Sequence, residues 1–153
     1  MATGDRAPAD VLAELRSITQ VDDAGHLFIA PVIHDWAAVH ERKIDTAIDL
    51  EGGLDIGVPV EPEQILYVYF HISDDELPNL HKLDGLATLG ASLVRNGHRV
   101  LAHCGMGFNR SALVAGLILH KLGTPGTRAV EQLRTRRPGA LFNETFASYL
   151  VSL

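Results

Sequence analysis

The chain has 153 residues, of which 46% are hydrophobic, so it can bury the core of one compact domain. Its formal net charge of -6 gives no general attraction to nucleic acid or to anionic membranes. The single cysteine excludes an intrachain disulfide, and no run approaches the roughly 18 apolar residues of a membrane span. The first residues also lack the basic start and apolar run of a secretory signal, so we expect a cytoplasmic domain over residues 1–153.

The first third of the chain predicts short elements separated by turns. A helix is expected from about Pro8 to Ile18, as a helical extension of the domain over about residues 1–20. Two short strands follow, with a helix capped by Asp35 between them. These elements are the strand Leu27–Ala30, the helix through Trp36, Val39 and His40, and the strand Thr46–Leu50. The segment Glu51–Glu63 is rich in glycine and proline and predicts a loop.

The middle of the chain carries the clearest strand and two long helices. Ile65–Phe70 is a continuous apolar and aromatic run, which is typical of a strand covered on both faces of a sheet. An acidic loop leads to a helix over Asn79–Arg95, and Asn96-Gly97 ends it. The strand Arg99–His103 then precedes an almost wholly apolar helix, Ser111–Leu122, whose composition indicates a central, buried position.

The end of the chain predicts two further helices. The first begins at Thr124-Pro125 and ends before Pro138, and Asn143 caps the second. Because strands alternate with helices through the middle of the chain, the sequence predicts an α/β fold with a mainly parallel central sheet flanked by helices. Ligands of such sheets bind beyond the carboxyl ends of the strands, so the segment that follows Arg99–His103 is the first place to look for a site.

That segment, residues 103–111 (HCGMGFNRS), predicts an anion-binding loop. It runs into a helix N-terminus, where unpaired N–H groups and the helix dipole favour negative charge. Gly105 and Gly107 let the backbone turn so that several N–H groups converge on one tetrahedral oxyanion, and Arg110 supplies a planar fork for two phosphate oxygens. The predicted phosphate-binding residues are Gly105, Met106, Gly107, Phe108, Asn109 and Arg110.

Cys104 stands at the base of this P-loop. A lone cysteine is most often a small buried hydrophobic residue, but here it is flanked by two glycines, an arginine and a serine at a strand-to-helix turn. The positive field that binds phosphate also favours the thiolate, which is the nucleophilic form of the side chain. Ser111 can hydrogen-bond the sulfur and stabilise it as a leaving group. The combination predicts phosphoryl transfer through a phosphocysteine intermediate.

The sequence HCGMGFNRS resembles the His-Cys-five residues-Arg-Ser/Thr signature of protein tyrosine phosphatases, and the short chain with one acidic loop upstream resembles the small dual-specificity branch. The resemblance extends to the opening elements, through Ile44–Leu50, and to the closing helices within Arg136–Leu150. It implies that Cys104 is the nucleophile, that Arg110 clamps the phosphate, and that His103 orients the loop and tunes the thiol.

The resemblance also implies a general acid, an aspartate on a loop between a strand and the long helix. In this chain the loop is FHISDDELPNL, and Asp74 precedes Cys104 by the family's spacing of about thirty residues. Asp75 and Glu76 are neighbours that can take the same role. The alternative is that these carboxylates are solvated loop charges next to the helix start at Asn79.

By resemblance, the substrate is a phosphorylated protein or peptide, carrying phosphotyrosine and also phosphoserine or phosphothreonine because a chain this short builds a shallow pocket. Phosphate and vanadate are expected inhibitors. No cofactor and no metal are expected, since the other seven histidines show no ligand-like spacing. Membrane and nucleic-acid partners are not expected either.

Two alternatives to this interpretation change the chemistry, and two change the substrate. A non-catalytic phosphopeptide-binding module usually lacks the cysteine, the arginine or the acid, and all three are present. A redox enzyme with a cysteine in an anion-binding loop needs further cysteines. The run Gly107–Arg110 resembles the loop of RNA 5′-triphosphatases, for which Arg134, Arg136 and Arg137 would have to form a basic patch. Inositol-lipid phosphatases tend to carry lysines inside the loop, and this loop has none.

Overall fold

The structure is a computed structural model that describes residues 18–153. The helix predicted over Pro8–Ile18 lies outside these residues, apart from Ile18, which belongs to no regular element. The strands within residues 18–153 are β1 (Thr19–Gln20), β2 (Leu27–Ala30), β3 (Thr46–Asp49), β4 (Leu66–Tyr69) and β5 (Val100–His103). The helices in the same range are α1 (Trp36–Glu41), α2 (Leu80–Arg95), α3 (Arg110–Lys121), α4 (Gly126–Arg136) and α5 (Glu144–Val151).

The strands form one sheet in the order β1-β2-β5-β3-β4, in which only the short β1 runs antiparallel to its neighbour among the described strands. The predicted α/β class with a mainly parallel sheet is therefore confirmed. In the parallel register Ala30 and Asp49 lie on either side of His103, so three strands end side by side. This shared carboxyl edge is where the sequence predicts the site.

The central strand β5 separates the two parts of the core. Val100 and Ala102 pack into the larger cluster with α2, α3, α4 and α5, while Leu101 packs into the smaller cluster with α1. Side chains that alternate in this way fit a strand buried on both faces. Helix α3 is buried continuously from Ser111 to Leu119, which confirms its predicted central position.

The prediction that Ile65–Phe70 forms a strand covered on both faces is wrong. The strand exists as β4, but it is the edge of the sheet, and Leu66 and Tyr69 are 45% and 42% exposed. One aromatic residue of the run contacts the loop that follows β3 instead. The Tyr69 hydroxyl accepts a hydrogen bond from the N–H of Gly53 (3.0 Å), so the edge strand holds the loop that borders the site.

The predicted helix caps Asp35 and Asn143 are confirmed. The Asp35 carboxylate accepts from the N–H of Ala37, and the Asn143 side chain accepts from the N–H groups of Thr145 and Phe146.

None of the helices in residues 18–153 combines the length and the apolar character that crossing a bilayer requires.

Two glycines on α2 provide a matched test of the packing between α2 and α3. A Cβ at Gly90 would lie 2.5 Å from Cδ1 of Ile118, whereas a Cβ at Gly85 would meet nothing within 4 Å. We expect Gly90→Ala to lower the free energy of unfolding by about 1–3 kcal/mol through overpacking. Gly85→Ala should raise it by about 0.5–1 kcal/mol through helix propensity. Urea denaturation of the two variants measures both effects, and equal effects would contradict the packing described here.

Candidate active site

Residues 104–110, called the 104–110 loop below, connect the end of β5 to the start of α3 at the carboxyl edge of the sheet. Cys104 is buried there, and its N–H donates to the carbonyl of Ala30 (3.2 Å). Its Sγ lies 3.5 Å from Oγ of Ser111, which is also buried. The structure thus brings together the predicted nucleophile and the residue predicted to assist it.

The peptide carbonyls of the loop point away from the centre of the loop and bond to the surrounding protein. The carbonyl of Gly105 accepts from the N–H of Val32 (3.3 Å), and that of Phe108 accepts from the N–H of Leu141 (2.8 Å). In a trans peptide the N–H of the next residue points away from the carbonyl, so each outward carbonyl turns an N–H to the opposite side. The N–H groups of residues 105–109 find no acceptor within residues 18–153, which leaves them as donors for an anion.

Arg137 binds the two carbonyls in the centre of the loop. Its Nε donates to the carbonyl of Gly107 (2.7 Å) and its Nη2 to that of Met106 (3.1 Å), while the guanidinium stacks 4.6 Å from the ring centroid of Phe108. Burial lowers the pKa of Arg137, and the nearby Cys104 opposes that shift. The sequence analysis considered Arg137 only as part of the basic patch that an RNA substrate would need, and it missed this role because no local pattern connects Arg137 to a loop about thirty residues away.

Close packing fixes the turn at Gly107. Its φ of +72° lies in the left-handed region, and a Cβ on this residue would lie 2.6 Å from the backbone nitrogen of Pro31. A side chain here would therefore be strained and would also press against the end of β2. This requirement agrees with the sequence argument for glycine in the loop.

Arg110 is held from two sides at the mouth of the loop. Its Nη1 donates to the carbonyl of Ile72 (3.1 Å), and its Nη2 donates to Oε2 of Glu51 (2.9 Å). Its Nε is buried and has no hydrogen-bond acceptor among the described residues. The nearest carboxylate on that side is Oδ1 of Asp74, at 3.7 Å. Sequence reasoning placed Glu51 in a loop and gave it no role, since nothing local links it to Arg110.

Hydrogen bonds of Asn143, which the sequence did not reveal, hold Asp74 beside Arg110. Nδ2 of Asn143 donates to the carbonyl of Asp74 (2.7 Å), and the N–H of Asn143 donates to Oδ1 of Asn109 (2.9 Å). One residue therefore joins the acidic loop to the 104–110 loop while its own side-chain oxygen caps α5. Asp75 and Glu76 are exposed, and of the carboxylates on this described loop only that of Asp74 lies within 4 Å of Arg110.

His103 takes part in a buried network behind the loop. Its Nε2 lies 2.7 Å from Oδ2 of Asp55, and its Nδ1 has no partner among the described residues. Asp49 is also buried, 3.9 Å from the same Nε2, and accepts hydrogen bonds from the Tyr67 hydroxyl and from the N–H of Glu51. The network fixes the position of His103 directly before Cys104.

The same network perturbs two ionisable groups. Burial raises the pKa of Asp49, and the hydrogen bonds from Tyr67 and Glu51 only partly oppose that shift. Burial and the bond to Asp49 together raise the pKa of Tyr67. Among the described residues, Asp49, Asp55 and His103 also offer ligand atoms within 4.8 Å of one another. The contact of His103 with Asp55 has the length of a hydrogen bond, so the arrangement is accounted for without an ion.

The three arginines considered for a basic patch do not share an exposed surface. Arg137 is buried beneath the 104–110 loop. Arg134 donates to the carbonyl of Leu141 (2.9 Å), and Arg136 pairs with Asp23. Arg134 and Arg136 are exposed, so of the three arginines only Arg137 is missing from the surface.

Comparison with solved structures identifies the fold. The chain is similar to human DUSP28 at 20% identity and a TM-score of 0.73, covering 88% of this chain and 90% of that one. It is similar to a human tyrosine phosphatase-like serine/threonine/tyrosine-interacting protein at 19% identity and a TM-score of 0.72, covering 90% and 95%. It is similar to a mouse putative dual specificity phosphatase complexed with zinc tungstate at 22% identity and a TM-score of 0.71, covering 99% and 91%.

No protein-family model and no curated protein sequence matches the chain. At these identities the likeness concerns the fold alone, which the chain shares with these dual-specificity and tyrosine phosphatase-like structures. The fold that the signature sequence predicted is thereby confirmed.

The raised pKa of Asp49 predicts how stability depends on pH. The folded protein holds the Asp49 proton more tightly than the unfolded chain, so this contribution to stability is complete below the ordinary value of 3.8. It is lost as pH rises through the raised folded value. Asp49→Asn keeps the side-chain shape and removes the titration. Urea denaturation should be measured from below pH 3.8 upward. The free energy of unfolding of wild type should fall with rising pH compared with that of Asp49→Asn, and parallel dependences on pH would contradict the prediction.

Proposed function

We propose that this chain is a cysteine-dependent phosphatase that hydrolyses phosphotyrosine, and also phosphoserine and phosphothreonine, in proteins through a phosphocysteine on Cys104. One observation carries the proposal. A buried thiol lies at the base of a loop whose carbonyls are bonded outward, beside a buried Arg110 Nε–H that has no acceptor within residues 18–153. These donors suit a tetrahedral dianion, and neither a cofactor nor a metal is needed for the chemistry below.

In the first step the Cys104 thiolate attacks phosphorus. The S–P bond forms as the ester P–O bond breaks, and Asp74 donates a proton to the leaving oxygen. The loop N–H groups and Arg110 stabilise the charge on the three non-bridging oxygens in the transition state. The 3.7 Å between Asp74 and Arg110 supports this role, because it brings the acid to the edge of the same site.

In the second step water attacks the phosphocysteine. Asp74, now ionised, accepts the proton from water, and the S–P bond breaks to release phosphate and the thiolate. Ser111 lies 3.5 Å from the sulfur, so its hydroxyl can donate to the departing thiolate. His103 and Arg137 act as positioning residues, since the first precedes the nucleophile and the second holds the loop carbonyls.

The surface around the loop supports a protein substrate. Met106 in the loop is 56% exposed, and Phe142, whose ring packs against Phe108, is 65% exposed. Apolar side chains beside a phosphate site suit an aromatic or aliphatic phosphorylated residue. The tungstate named for the similar mouse protein is a tetrahedral oxyanion like phosphate, which supports inhibition by phosphate and vanadate.

Two other functions remain as alternatives. A non-catalytic phosphopeptide-binding role is compatible with the fold, since one similar structure is of a phosphatase-like interacting protein. The presence of Cys104, Arg110 and Asp74 favours turnover instead. An RNA 5′-triphosphatase would match the run Gly107–Arg110, but the burial of Arg137 beneath the loop removes one of the three arginines of the basic patch and counts against it.

Cys104→Ser should bind phosphate or a phosphotyrosine peptide yet abolish turnover of an aryl phosphate, because a hydroxyl is a far poorer nucleophile than a thiolate near neutral pH. Arg110→Lys should lower turnover by about 10²–10³, since an ammonium cannot reproduce the planar fork. Steady-state kinetics and calorimetry on the same preparations separate the two effects. Near-native turnover by Cys104→Ser would refute covalent catalysis.

The pH profile tests the assignment of the acid. Asp74 must be protonated while Cys104 is ionised, so the rate should rise and then fall with pH. Asp74→Asn should lower turnover by about 10²–10⁴, flatten the basic limb, and do so less for a good leaving group than for a poor one. It should cost little affinity because the acid acts mainly in the transition state.

Asp75→Asn is the matched control for that experiment, because it removes the adjacent charge and has no contact with Arg110 in the structure. It should keep the wild-type profile. A near-native Asp74→Asn together with an impaired Asp75→Asn would move the acid by one residue. Full activity and an unchanged bell-shaped dependence of the rate on pH in both variants would show that neither carboxylate is the acid.

A further inference from the structure

Glu51 stands at the mouth of the proposed site without a role in the two chemical steps. Its Oε2 accepts from Nη2 of Arg110 at 2.9 Å, and its Oε1 accepts from the N–H of Gly52 at 3.2 Å. Both oxygens are therefore held, and the side chain is only 34% exposed. The carboxylate is a fixed part of the mouth and not a solvated surface charge.

The carboxylate also lies directly against the 104–110 loop. A Cβ built on Gly105 would lie 2.4 Å from Oε2 of Glu51 and 3.3 Å from Nη2 of Arg110. An anion bound in the loop would thus have the Glu51 carboxylate as a close neighbour. Backbone contacts set this position, because the N–H of Leu50 donates to the carbonyl of His103 (3.0 Å) just before Glu51.

The charges around Arg110 do not balance. Glu51 and Asp74 both lie within 4 Å of the one guanidinium, and Asp75 and Glu76 are exposed on the same acidic loop as Asp74. A single phosphoryl group can be neutralised by the loop N–H groups and Arg110. Any further phosphate joined to it would extend toward this carboxylate rim, where like charges repel at short range.

We infer that Glu51 is a specificity-determining residue that restricts the site to single phosphomonoesters and rejects polyphosphate ligands such as 5′-triphosphate ends. The inference deepens the proposed function and rests on the same phosphate site. Glu51 holds one side of the Arg110 fork and places a fixed negative charge where a second phosphate would bind. Discrimination arises from repulsion of the wrong ligand rather than from a new contact to the right one.

The test compares the binding of inorganic phosphate and inorganic tripolyphosphate by calorimetry at one pH and ionic strength. The proteins are wild type, Glu51→Gln, which keeps an oxygen acceptor for Arg110, and Glu131→Gln, which removes an exposed charge on α4. In Glu51→Gln the ratio of the tripolyphosphate Kd to the phosphate Kd should fall about tenfold, as expected for losing one like charge at close range. Glu131→Gln should keep the wild-type ratio.

An unchanged ratio in Glu51→Gln would overturn the inference, including the case in which both ligands weaken together because Glu51 only orients Arg110. The same fall in Glu131→Gln would overturn it as well, since the effect would then be one of net charge. Turnover of an aryl phosphate by wild type is measured separately. Absence of turnover with the predicted shift in the ratio would reject the proposed catalysis and leave the charge selection standing.

Discussion

The carbonyls of residues 105–108 are hydrogen-bonded on one side of the 104–110 loop, and the proposed binding of phosphate by the loop N–H groups depends on this. Val32, Leu141 and the buried Arg137 supply the donors for these carbonyls. A buried carbonyl without a donor would cost a large fraction of a domain's stability, so the anion site depends on bonds that no anion touches. The fold provides them by ending three strands at one edge and returning Arg137, at the end of α4, beneath the loop.

Positive and negative side chains lie on different sides of this loop. Arg137 is buried on the inner side, near Cys104, while Arg110 on the outer side is shared between Glu51 and Asp74. In the proposed function, the positive inner wall would favour the thiolate and a phosphoryl group, and the negative rim would disfavour ligands with more charge than one phosphate. In the proposed function these two layers separate catalysis from selection, since the first acts on the reacting atoms and the second on what surrounds them.

The sequence predicted the parts of this arrangement that are local. The strand-to-helix turn, the two glycines and the residues Cys104, Arg110 and Ser111 all lie within one short segment. Contacts between distant segments were not predictable in this way, including Glu51 on Arg110, Arg137 on the loop carbonyls and the tether through Asn143. The sequence predicted the wrong environment for β4, which lies at the edge of the sheet. An apolar run indicates a strand, but it does not indicate whether that strand is central or at an edge.

Identification of the covalent intermediate tests the central claim most directly. Wild-type protein turning over an aryl phosphate would be quenched rapidly in acid, digested, and mapped by mass spectrometry for a phosphoryl group. The account predicts one phosphoryl group on the peptide that contains Cys104, linked through sulfur, and none in a parallel reaction with Cys104→Ser. A phosphoryl group on another residue, or undiminished turnover with Cys104 unmodified at every quench time, would contradict it.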